Sequence, residues 1–192
     1  MNLERMYKKS LDEQWCLRLK TDHPDGGNYD GVVTQISKDF VVICQEEAFQ
    51  FDGIVILPKK FITGCRDNKY DRCCNEILRM NGAIKKCRQP EWLQGCETIW
   101  DVFAVIESTK RNIWPTVEIV WDKRSKGAFY LGPITDIAEN GFRIKGYDAA
   151  GKWEKEIWLK FKWVFKIEFD SQYCRHFNKY MQASDKAAKK KA

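Results

Sequence analysis

No stretch of about 18 or more apolar residues, the length a helix needs to cross a bilayer, occurs in the chain. Met1-Asn2-Leu3-Glu4-Arg5 lacks the basic-then-apolar order of a secretory signal. Neither membrane insertion nor export is therefore expected, and the expected compartment is cytoplasmic. Histidine is scarce, with two residues. His23 lies in a polar loop beside Pro24, and His176 follows Arg175 on the last predicted helix, two residues from Cys174. Residues two apart on a helix do not face each other, so Cys174 and His176 make no nucleophile pair. A glycine-rich phosphate loop and a nucleophile elbow are also missing, and carboxylates such as Asp52, Asp136 and Glu168 are scattered. No catalytic residue is assigned, and an enzyme is not expected.

Paired Cys-x-x-Cys ligands, the usual mark of structural zinc, are missing too. Cys73 and Cys74 are adjacent and diverge on a helix, while Cys87 and Cys96 stand nine apart. No metal and no cofactor are expected. The eight cysteines read as reduced thiols, because a chain of this size does not need disulfides. Cys16 within Trp15-Cys16-Leu17 and Cys44 after Val41-Val42-Ile43 occupy places where a small hydrophobe fits.

What is present is core material: 44% hydrophobic and 14% aromatic residues in 192, enough for one ordinary domain or two small ones. The formal charge is +6, but residues 185–192 carry +3 of it. The remaining +3 does not by itself imply a nucleic-acid partner, and the lysine-rich end reads as a solvated, disordered basic tail, 183–192.

Leu3, Met6, Tyr7 and Leu11 have helical spacing. Short, β-branched and aromatic runs follow at 15–19, 31–36, 40–44, 51–57 and 61–65, the first two separated by the turn-rich 22–28. Five such strands without an intervening helix suggest a small antiparallel barrel. Tyr70, Cys73, Cys74, Ile77 and Leu78 then mark a helix stopped by Asn81-Gly82. A connector, 83–96, leads to a helix carrying Ile99, Val102, Phe103 and Ile106, which ends before Trp114-Pro115. Strands are predicted again at 116–121, 129–137, 142–147, 153–159 and 163–169, with turns at 125–127, 139–141 and 148–151. The predicted units are thus 1–82 and 97–182.

The halves match in residues as well as in order. At an offset of 101, Gly31, Thr34 and Ile36 fall on Gly132, Thr135 and Ile137, and at 103, Tyr70 and Arg72 fall on Tyr173 and Arg175. An internal duplication is the expectation. Trp92, Trp100 and Trp114, near the connector, are expected to dock the two barrels rather than to line a ligand pocket.

The stretch from Asp30-Gly31-Val32 through Ser37-Lys38-Asp39-Phe40 to Val41-Val42-Ile43 resembles the first motif of the Sm-like RNA-binding family, with a glycine early in one strand, an acidic turn and a hydrophobic strand after it. Leu57-Pro58-Lys59-Lys60-Phe61-Ile62-Thr63 is similar to that family's second motif, though without its usual glycine or histidine. The resemblance covers roughly 1–66 and, more faintly, 97–169, and extends to bacterial proteins with tandem barrels of this kind. It implies a mainly β fold with flanking helices: two tandem Sm-like or SH3-like small β-barrels, each followed by a short helix. It also implies an RNA contact near Asp39 and Phe40 and near Lys59 and Lys60.

From 157 to 169 the odd positions are all apolar, while the even ones include Trp158, Lys160, Lys162 and Lys166. Lysines beside an aromatic can track phosphates and stack a base. They can equally keep an edge strand soluble, which is the simpler account. Lys160 and Lys162 fall near Lys59 and Lys60 at the repeat offset, so both barrels are expected to show a basic turn on one side. Two functions follow. One is a non-catalytic protein binding single-stranded RNA through Asp39, Phe40, Lys59, Lys60, Trp158, Lys160 and Lys162. The other is an adaptor whose barrel edges bind a protein partner, with no nucleic acid involved.

Overall fold

The computed structural model describes residues 2–23, 27–87, 89–108, 113–121 and 127–189, so the expected turns reach beyond it at 24–26 and 125–126. Within these residues the chain is mainly β, with eleven strands flanked by four α-helices. None of these helices is long and apolar enough to cross a membrane.

Asn2 caps α1 (Leu3–Glu13), its side-chain oxygen accepting from Arg5 N at 3.2 Å. Then come β1 (Cys16–Thr21), β2 (Asn28–Ile36), β3 (Phe40–Glu47), β4 (Gln50–Pro58), a 3₁₀ turn (Lys59–Phe61) and β5 (Ile62–Arg66). These strands are apolar on both faces because both are covered. Leu17, Val41, Ile43, Val55 and Leu57 pack with Tyr7 of α1, whereas Val32, Phe40, Val42, Cys44 and Ile56 face the larger core. Asn68 and Asp71 form a reciprocal capping box at the start of α2 (Lys69–Met80).

The second half repeats this order. It runs α3 (Ile99–Ser108), β6 (Thr116–Ile119), β7 (Ala128–Leu131), β8 (Ile134–Ala138), β9 (Gly141–Ile144), β10 (Ile157–Lys160), a 3₁₀ turn (Phe161–Trp163), β11 (Val164–Phe169) and α4 (Gln172–Lys189). The strand expected over 129–137 is split at Gly132-Pro133, where proline has no N–H to donate. A Cβ at Gly132 would stand 2.1 Å from the Lys145 carbonyl oxygen, and one at Gly31 would stand 2.5 Å from that of Cys44. Both members of this glycine–carbonyl contact recur at the offset of 101. The strand expected from 153 begins at Ile157, Trp153 making an isolated bridge to Tyr147. α4 continues through Lys189, into the segment expected to be a disordered tail, where lysine and alanine are good helix formers.

Strand order is β5-β1-β2-β3-β4-β11-β6-β7 in one sheet and β10-β9-β8 in the other. Both sheets are open, whereas closed barrels were expected. The outer edge of β4 is taken by β11 of the other half, with Ile56 opposite Ile167 and Ile54 opposite Phe169. One buried cluster also runs through both halves, and the connector supplies Ile84, Cys87, Leu93 and Cys96 to it. The expected tryptophan docking is realised only by Trp92, which meets Phe169 edge-on at 5.0 Å. Trp114 packs on Trp153 and Tyr147 within the second half, and Trp100 is 45% exposed.

Candidate functional site

Antiparallel pairing of β4 with β11 decides where the basic turns go. Four residues beyond Ile56 is Lys60, and four before its partner Ile167 is Trp163, so the two 3₁₀ turns must lie side by side. They do: Lys60 Nζ donates to the Lys162 carbonyl oxygen at 2.7 Å. Burial pushes the Lys60 ammonium below its ordinary pKa, and Asp39 partly opposes this. Lys59 Nζ pairs with Glu4 at 3.0 Å, and the Lys59 N–H donates to the Asp39 carbonyl at 2.8 Å.

Two recesses share Lys60 and Lys162. The first, of about 580 Å³, is walled by Lys38, Asp39 and Lys59 on one side and by Trp100, Glu139 and Phe161 on the other. The second, of about 440 Å³, is walled by Asp22, Phe61, Trp121 and Trp163. Lysines outnumber carboxylates four to two in the first recess. Its rim is tied down: the Asp39 N–H donates to the Glu97 carbonyl at 3.1 Å, and the Lys38 N–H donates to Glu97 Oε2 at 2.7 Å. Asp101 Oδ2 accepts from the Thr98 N–H at 2.7 Å and starts α3, which carries Trp100 to the mouth. In the second recess the Val120 N–H donates to the Trp163 carbonyl at 2.8 Å, holding Trp121 beside Trp163 at 6.4 Å between ring centroids. Trp121 is 43% exposed.

Of the residues singled out in the sequence, Asp39, Lys59, Lys60 and Lys162 line the first recess. Lys160 is exposed and reaches toward the second, its Nζ 5.4 Å from the Trp163 ring centre. Phe40 is not available: it is wholly buried in β3, because its alternation turns it into the shared core. Trp158 lines neither recess. It lies over Gly141, with the Arg143 guanidinium 5.7 Å from its ring centre. Trp100 and Trp121 were not picked out as site residues, since one reads as a domain-docking residue and the other as a strand end. The signal that finds them is an aromatic at the edge of an element beside a lysine-bearing turn. His23 is also less loop-like than expected, with Nε2 2.9 Å from Glu118 and the ring against Phe165.

Comparison with known proteins adds no further guide, since no family model, curated protein or solved structure matches the chain.

Proposed function

We propose that this is a non-catalytic nucleic-acid-binding protein that takes single-stranded RNA across the paired basic turns. The phosphates run past Lys59, Lys60 and Lys162, and bases stack on Trp100 and Trp121. The observation that carries the reading is the meeting of two lysine-bearing turns, one from each half, between two half-exposed tryptophans. We infer further that the halves are tandem Sm-like units that share strands instead of closing. The repeated element order, the 3₁₀ turn before each last strand and the glycine–carbonyl contact at Gly31 and Gly132 support this.

The test is fluorescence anisotropy of labelled single-stranded RNA with the full chain at about 50 and 200 mM salt, where phosphate contacts show their salt slope. Binding should weaken with salt and, in Lys60→Ala/Lys162→Ala, the slope of log affinity against log salt should fall by about 2. Replacing Lys186, Lys189, Lys190 and Lys191 by Ala should leave most of the affinity. A slope unchanged in the double variant removes the proposed site. A protein adaptor is the second reading, favoured by the exposed Phe129 and Tyr173 rings, 6.0 Å apart. It predicts no RNA binding at either salt.

A further inference from the structure

Away from the basic turns, the first half gathers soft metal ligands at one point. Cys16 of β1, Glu46 of β3 and Cys74 of α2 bring one ligand atom each to within 4.8 Å of one another. Pairing sets two of them: Cys16 lies opposite Val32 and Val32 opposite Cys44, so Glu46, two residues on, comes to the same region of the sheet. Asn75, fully buried, sets the third. Its Oδ1 accepts from the Cys16 N–H at 2.7 Å, and its Nδ2 donates to the Cys16 carbonyl at 2.9 Å. This clamp holds α2 on β1 and leaves the neighbouring Cys74 thiol hydrogen-bonded to that of Cys16. The carboxylate is held too, Glu46 Oε1 accepting from the Phe49 N–H at 2.6 Å.

The three groups line one open cavity of about 370 Å³. Two other carboxylates there are engaged by arginines: Asp30 with Arg18 at 2.5 Å and Asp71 with Arg66 at 2.7 Å. Zn–S bonds of about 2.3 Å put the sulfurs of a tetrahedral site roughly 3.8 Å apart, a span this cluster reaches with sub-ångström movement.

We propose that Cys16, Cys74 and Glu46 form a binding site for a thiophilic divalent cation of the zinc type, with the fourth position open to the cavity. Two thiolates select a borderline-soft ion over magnesium or calcium. The ion would brace β1, β3 and α2 together. Cys73, exposed on the next turn position of α2, is not a ligand.

Titration of the reduced full chain with Co²⁺ alone tests this. Saturation at one equivalent should bring a thiolate-to-cobalt charge-transfer band and the intense visible bands of tetrahedral coordination, and Zn²⁺ should bleach both. Cys74→Ser should abolish the charge-transfer band or cut it by half or more. Glu46→Gln should weaken binding at least roughly tenfold, and Cys73→Ser should change neither. Because Cys16 is buried, Cys74→Ser is the decisive variant, with far-UV circular dichroism confirming its fold. The proposal is overturned by the absence of a one-equivalent band in the folded parent, by a full band in Cys74→Ser, or by its loss in Cys73→Ser.

Discussion

Lys60 and Trp100 are the residues on which the proposed interface turns, and each makes a separable prediction. Trp100 is nearly half exposed at the start of α3, so Trp100→Ala should leave the urea midpoint within experimental scatter. It should nevertheless cost about 1–3 kcal/mol in single-stranded RNA binding if a base stacks on it. An RNA affinity equal to that of the parent would remove Trp100 from the site. Asn75 is the opposite case, buried and far from the turns. Asn75→Ala strips partners from the buried Cys16 N–H and carbonyl, so it should lower stability by about 1–3 kcal/mol in urea unfolding. A midpoint equal to that of the parent would show that the clamp contributes nothing. The apolar alternation that makes Phe40 a strand residue also forces it inward, and no motif match exempts a side chain from the face its register gives it.

Elements start and bend at positions with identifiable causes. At α2, burial works to raise the Asp71 carboxyl, but the Arg66 guanidinium and the Asn68 N–H overcome it and hold the pKa below its ordinary value. A carboxyl depressed on folding adds stability above its unfolded pKa, about 3.9, and that contribution is lost as pH falls through the folded value. Stability should therefore fall between about pH 4 and lower values more steeply in the parent than in Asp71→Asn. Equal acid limbs would show that the capping carboxylate does not drive the loss. The glycines at the bends are tested by Gly31→Ala and Gly132→Ala. Each places a methyl against a cross-strand carbonyl and should lower the unfolding midpoint by about 1–3 kcal/mol. If the halves are equivalent, both variants should destabilise, and a neutral substitution at either would break the parallel.

At the scale of the molecule, one buried cluster spans both halves, and β4 is completed by β11. Unfolding followed by tryptophan fluorescence and by far-UV circular dichroism should therefore give one coincident transition. Two separated transitions would mean that each half carries its own core. The order of helices and strands, the basic turns at Lys59–Lys60 and Lys162, and the paired glycines were all legible in the sequence, because periodicity, turn residues and spacing are local. Barrel closure, the destination of Trp100 and Trp121, and the meeting of Lys60 with Lys162 were not. They depend on which strand completes the edge of β4, and that choice is made by residues more than 100 positions apart. The thiol–carboxylate cluster was hidden for the same reason, since Cys16, Glu46 and Cys74 have no motif spacing and converge only because the sheet and the Asn75 clamp bring them together. Local propensity and hydrophobic period thus determined the elements and their amphipathic faces. Long-range strand pairing and the shared core decided which side chains became neighbours, because those contacts form only when distant segments bury their apolar faces against each other.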